Sequence, residues 1–240
     1  MDTHTFNFSV TPGTAPEYEV ALPPFRASLR GTILTLKADA HTADEQRLRE
    51  QACQVAHNLA RSLAYELAER FEVKYQGRHV LRDTGQQSVS VSLTFVVQPA
   101  LVSTTEEGEA SERRERERQA ARDRIVDLTT RAAGDANLRD MLEHWYKYAG
   151  DSEGRLHPLY DVLQVVERLY GTRKKAALAL NISDADLSDL GRITNDPTVL
   201  NGRHPGRTQG PHRIATESEV KTCERVARTM IENQASKLVI

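Results

Sequence analysis

The chain has 240 residues, 39% of them hydrophobic and 28% charged, with a formal net charge of -2. That size allows one or two domains with cores of their own, and the composition lies outside the disordered class. The near-neutral charge excludes a global field that would draw the chain to nucleic acid or to a membrane, so any such binding must come from a local patch.

The start, MDTHTFNFSV, lacks a basic stretch followed by an apolar one, so no signal peptide is expected. No apolar run approaches the roughly 20 residues that span a bilayer. Cys53 and Cys223 stand among apolar neighbours without a second cysteine at metal-ligand spacing, as expected of thiols in a reducing compartment. Cytoplasmic location and no membrane association are the expectation.

In chain order, residues 1–16 read as an irregular arm or short edge strand, because Pro12, Gly13 and Pro16 interrupt them. Tyr18, Val20 and Leu22 alternate as in a strand, which Pro23 and Pro24 end. A second strand is expected over Ala27–Ala38. A helix follows from near Thr42, where Thr42 and Glu45 have capping-box spacing, to near Phe71. Its stripe of Leu48, Ala52, Val55, Leu59, Leu63 and Leu67 lies on one face. Two strands follow, Glu72–Leu81 and Gln87–Gln98, joined by a turn at Asp83-Thr84-Gly85. Residues 103–118, STTEEGEASERRERER, mark the sharpest shift in composition and read as a charged linker or helix start.

Beyond residue 118 the pattern is helical. Helices are expected over Ala121–Ala133, Asp135–Ala149, Pro158–Tyr170, Arg173–Leu180, Asp184–Ile193 and Glu217–Lys237, the last capped by Thr216 and Glu219. The expected fold class is therefore α+β: a small N-terminal β-sheet backed by one long helix, followed by an all-helical C-terminal bundle. The domains are expected at 1–102 and 119–240, with 103–118 between them.

The most informative stretch is the loop 197–216, PTVLNGRHPGRTQGPHRIAT. It holds Arg203, His204, Arg207, His212 and Arg213 and contains no carboxylate. Ahead of a helix N-terminus, guanidinium groups and imidazoles combine with unpaired N–H groups, a set suited to phosphate. Arg203, Arg207 and Arg213 are the candidate phosphate ligands, and histidine supplies a group that moves protons near neutrality. The opposing reading is a surface loop whose arginines pair with Asp184, Asp186, Asp189 or Asp196.

Arg207-Thr-Gln-Gly-Pro-His212 has the spacing of the HEPN signature, an arginine followed after four to six residues by a histidine. On that motif, and on its place beside the terminal helix, residues 120–240 resemble the HEPN domain. HEPN domains are helical bundles found in many prokaryotic RNases and defence proteins. The resemblance implies RNA as ligand, a homo-oligomer in which arginine and histidine of two protomers converge, and cleavage by acid–base chemistry without metal. Arg207 and His212 would then be catalytic, with His204 as an alternative to His212, and no cofactor is expected. The setting implied is prokaryotic stress or antiphage defence.

Two competing readings remain. Lys174–Leu190 resembles a helix-turn-helix, but Asp184, Asp186 and Asp189 on its second helix would repel phosphates, which favours a structural hairpin. The hairpin and the N-terminal sheet could instead serve a non-enzymatic adaptor that binds a partner protein. His144 and His157 lack evident partner ligands and read as structural, and Trp145 with Tyr148 reads as core.

Overall fold

The computed structural model describes residues 2–11, 18–40, 45–81, 87–89, 108–151, 153–203 and 211–238. Their contacts divide into two compact units, 1–66 with 71–130 and 67–70 with 131–240. The architecture is α+β, with a helical C-terminal part.

The first unit is built on a six-stranded antiparallel sheet. Its strands are β1 (Asp2–Thr11), β2 (Tyr18–Leu22), β3 (Phe25–Arg30), β4 (Ile33–Ala40), β5 (Glu72–Leu81) and β6 (Gln87–Val89), in the order β2-β3-β4-β1-β5-β6. The expectation of an irregular arm or edge strand at the N-terminus is corrected: β1 lies inside the sheet, paired with both β4 and β5. Its alternation puts His4, Phe6, Phe8 and Val10 on the buried face. The proline and glycine that suggested irregularity lie after this run rather than in it.

The single strand expected over Ala27–Ala38 is in fact a hairpin. Arg30 pairs with Ile33 across Gly31 and Thr32, and Gly31 takes φ +56, a conformation that favours glycine. Buried positions change parity across this turn, from Phe25, Ala27 and Leu29 to Leu34, Leu36 and Ala38. One continuous strand would have put half of these on the wrong face.

Helix α1 (Glu45–Leu67) buries Leu48, Ala52, Ala56, Leu59 and Leu63. It is tied to β5 by the Glu45–Arg78 ion pair and by Arg49, whose guanidinium sits 4.8 Å from the Tyr75 ring centroid. The helix stops at Leu67 rather than near Phe71, because Ala68 turns to φ +53. Thr42, the turn at 83–85 and the expected strand beyond Val89 lie outside the described residues.

Helix α2 (Gly108–Gly134) takes in the latter part of the charged stretch. Arg124 on it donates to both carboxylate oxygens of Glu66, with Nε 3.0 Å from each.

The second unit contains α3 (Ala136–Ala149), α4 (His157–Tyr170), α5 (Arg173–Leu180), α6 (Asp184–Asn195) and α7 (Glu217–Ser236). Asp135 caps α3 by accepting the Leu138 N–H at 2.6 Å, and Pro158 stands in the first turn of α4, where no helical N–H partner is lost. The most apolar helix, α4, packs against α3, α5, α6 and α7 and buries Leu159, Val162, Leu163 and Val166 among them. Trp145 is fully buried and meets Tyr148 edge-on at 5.7 Å, in agreement with the core reading. Asn181 takes the left-handed conformation between α5 and α6, and Ser183 caps α6 through the Asp186 N–H. Cys53 and Cys223 are free thiols, and burial pushes Cys223 up to about 12. Among the described residues no helix is long and apolar enough to cross a membrane.

Candidate functional site

The loop ahead of α7 is anchored at both ends by backbone pairing. The Arg213 N–H donates to the Thr198 carbonyl at 2.9 Å, and the Leu200 N–H donates to the Arg213 carbonyl at 2.8 Å. Val199 and Arg213 thus form an isolated parallel bridge, and Val199 is fully buried beneath it.

Two local motifs prepare this bridge. The Asp196 carboxylate accepts from the Thr198 N–H at 2.9 Å and from its hydroxyl at 2.7 Å, an Asx turn that starts the reversal. These bonds hold the Asp196 carboxyl below the usual range. At Gly202 a Cβ would stand 3.0 Å from the carbonyl oxygens of both Thr194 and Val199, so only glycine fits the closing turn without displacement.

Asn201 is the hub of the arrangement. Its side chain is buried, donates to the Gly154 carbonyl at 3.1 Å and accepts the Ala215 N–H at 2.9 Å. Its own carbonyl accepts the Leu156 N–H at 2.7 Å, which supplies a partner at the start of α4, where no side chain caps the helix. One residue therefore joins the turn before α4, the bridge and the approach to α7.

The sequence-predicted site residues fall as follows. Arg203 donates its N–H to the Thr194 carbonyl at 2.6 Å and holds its guanidinium 4.6 Å from the centroid of the Tyr160 ring. His212 is exposed. Arg213 grips Glu219 with two bonds of 2.6 and 2.8 Å, and Asp196 lies at 3.5 Å. His204 and Arg207 lie outside the described residues.

Arg203 and Arg213 therefore take different partners. For Arg213 the opposing reading, an arginine paired with an acidic neighbour such as Asp196, holds, with Glu219 as the closer partner. A planar guanidinium matches a carboxylate as well as a phosphate, and Glu219 and Asp196 reach it from outside the 197–216 stretch or from its edge.

The terminus of α7 is likewise occupied by the protein's own groups. Glu219 accepts the Thr216 N–H at 2.8 Å while Thr216 caps the Glu219 N–H at 3.3 Å, the capping box that the sequence predicts. Glu219 thus supplies the negative charge that a helix N-terminus favours. The Arg213 hydrogen bonds, joined by those from Thr216, hold the Glu219 carboxyl down to about 2 despite partial burial.

Two consequences can be measured. Thr216→Ala is expected to lower stability by about 1 kcal/mol in urea unfolding. Glu219 has a depressed folded pKa, so its contribution is fully present above the ordinary glutamate value of 4.5 and is lost as pH falls toward about 2. Glu219→Gln is expected to flatten that part of the acid unfolding curve.

The neighbouring acidic hairpin is also partly internally paired. Asp186 accepts from Arg225 of α7 at 2.6 Å and from Ser183 at 2.7 Å, and Asp189 pairs with Arg192 at 3.2 Å. His144 and His157 both face Asp161, at 3.6 and 3.3 Å. Among the described residues no group of three or more His, Cys, Asp or Glu is arranged to hold a metal ion.

Asn201, Tyr160 and the pairing role of Glu219 are the parts of the site that sequence reasoning missed. No protein-family model, curated protein or solved structure matches the chain.

Proposed function

We propose that the C-terminal helical unit is a HEPN-like domain that binds RNA or another phosphorylated ligand at the loop before α7. Its contacts would be Arg203, His204, Arg207 and His212. The reading is supported chiefly by the bridge between Val199 and Arg213, which starts and ends a stretch containing two arginines, two histidines and no carboxylate at one place. A phosphate backbone meeting that stretch would exchange bound counterions for guanidinium groups.

Arg213 is reassigned in this proposal. It neutralises Glu219 and Asp196 at the base of the loop, so that these two carboxylates do not oppose an incoming anion. If the bound RNA is cut, His212 is the acid–base group and the arginines stabilise the added negative charge on phosphorus. The resemblance adds a second copy of the chain as the partner that completes such a site, and a role in stress or antiphage defence.

Labelled RNA and purified full-length protein test this reading. Binding is expected to weaken steeply with salt, and Arg207→Ala is expected to lower affinity at every sequence and to reduce the salt slope by about one. Cleavage in the presence of a chelator, lost by about a hundredfold or more in a folded His212→Ala variant, would establish the catalytic form. Absence of binding at low salt to RNA and to a mononucleotide alike rejects the proposal.

A second reading, a non-enzymatic adaptor, draws on one observation. Leu178 on α5 is 85% exposed, one turn from the exposed Lys174 and beside Lys175. A protein partner captured by the wild type and lost by Leu178→Ser, with RNA left unbound, would favour it.

A further inference from the structure

Among the described residues β2 lies outermost on one side of the sheet and pairs with β3 alone. That pairing decides which of its backbone groups are satisfied. Leu22 and Phe25 close the hairpin across Pro23 and Pro24. Pro24 has no N–H to offer, so Leu22 and Phe25 exchange the closing bonds themselves. By alternation Val20 also turns its N–H and carbonyl toward β3, opposite Ala27, whereas Glu19 and Ala21 turn theirs outward. Exposed edges invite pairing with another chain, and proteins blunt them with lysine, proline or a bulge. Residues 18–22 contain neither lysine nor proline, and their register with β3 runs without a shift.

The two faces of the sheet add independent observations. Val20 shares a face with the buried Leu22, Phe25, Ala27 and Leu29, yet it is itself only half-buried. On the opposite face Glu19 and Ala21 are exposed. There Arg26 of β3 stands between Ala21 of β2 and Lys37 of β4. Arg26 and Lys37 are exposed like charges directly opposite one another, an arrangement that destabilises a sheet. Among the described residues neither of them has an ion-pair partner, and Glu19 has none either.

We propose that β2 joins two copies of this chain: the two strands pair antiparallel about a two-fold axis at Val20, and the sheet continues from one copy into the other. In that register Val20 meets Val20 of the second copy, and Glu19 meets Ala21 of the second copy. Glu19 and Ala21 are the residues with outward backbone groups, so each of their N–H groups and carbonyls finds a partner. No like charges are opposed. The second copy's Glu19 comes to lie two strands from Arg26, about 10 Å between backbones with alanine between them, a gap that two long side chains close. Each copy thereby supplies the anion that the other's Arg26 and Lys37 lack, and the two Val20 side chains extend the apolar face. The contact belongs to the first unit alone and is independent of the RNA reading.

Analytical ultracentrifugation of the full chain over a concentration series tests this without RNA. The sedimenting mass is expected to rise from that of one chain toward that of two, more readily at low salt. Ala21→Pro removes an outward N–H that the single copy does not use, so it should abolish the rise and leave the circular dichroism of the wild type. Glu19→Lys sets like charges over Arg26 at two symmetric places and is expected to weaken association about tenfold, and combining it with Arg26→Glu is expected to restore it. On oxidation Val20→Cys is expected to join two chains covalently, because directly opposed positions lie within disulfide reach, and Ser28→Cys is not. The mass of one chain at every concentration overturns the proposal. A dimer that persists in both Ala21→Pro and Glu19→Lys overturns it as well, because the contact then lies on another surface.

Discussion

Asn201→Ala is expected to destabilise the C-terminal helical unit by about 1–3 kcal/mol and to weaken the binding proposed for the loop before α7. The size follows from what the substitution strands. The Asn201 side chain is buried, and its amide satisfies the Gly154 carbonyl while its oxygen satisfies the Ala215 N–H. Alanine removes both partners at once: the buried Ala215 N–H is left without its bond, at about 1–3 kcal/mol, while Gly154 is an exposed residue whose carbonyl water can reach. The backbone bond from Leu156 to the Asn201 carbonyl survives, so α4 keeps its start and the helices can still assemble.

The measurement is direct, because Trp145 is the only tryptophan in the chain and is buried in this unit. Its fluorescence through urea unfolding reports on the helical unit. A midpoint equal to wild type would mean that the bridge, rather than Asn201, holds the loop. Gly202→Ala offers a comparison at the same turn. Its Cβ would press on two backbone carbonyls, so it is expected to move the loop with less damage to the approach to α7.

These contacts separate what the sequence discloses from what it conceals. The helices of the second unit were legible, since Leu138, Met141, Leu142 and Trp145 recur at helical spacing and local caps such as Thr216 with Glu219 involve residues three apart. The same local logic named the loop and its cations. Asp196 was legible as a partner for a loop arginine, but the Arg213–Glu219 pair was not, because the capping box accounts for Glu219 without revealing that both its oxygens also face a guanidinium. Asn201 was passed over for a related reason: its partners, Gly154 and Ala215, are brought to it by the packing of helices and not by any spacing in the chain.

In the first unit the misses were of register. Phe6, Phe8 and Val10 alternate as clearly as any strand, yet alternation alone does not tell an edge from a centre. Only the pairing of β1 with β4 on one side and β5 on the other does so. At Gly31 the signal is a change of parity in the apolar residues, which a count of β-formers over 27–38 does not detect.

His4 is the residue whose burial has the clearest thermodynamic consequence. It lies on β1 between Ala38 and Val80, fully buried beside Phe6, and among the described residues neither ring nitrogen has a hydrogen-bond partner. Burial depresses its pKa, aided by Arg78, against the opposing influence of Asp2 and Glu45. His144 in the second unit is depressed as well, burial outweighing the nearby Asp161.

Both histidines are therefore neutral in the folded chain at neutral pH, and the sign follows. Well above the ordinary histidine value of 6.5 neither state binds the proton and stability is unaffected. Below it the unfolded chain takes up a proton that the folded chain resists. Stability then falls with pH by as much as about 1.4 kcal/mol per unit for each group, until the folded pKa is reached. His4→Leu is expected to remove this slope below about pH 6.5 for the sheet, read by circular dichroism, while the Trp145 transition keeps its own slope from His144. At neutral pH the variant should be at least as stable as the wild type, because two buried polar atoms give way to an apolar side chain. A sheet transition equally pH-sensitive in both proteins would show that His4 reaches a proton acceptor in the folded state.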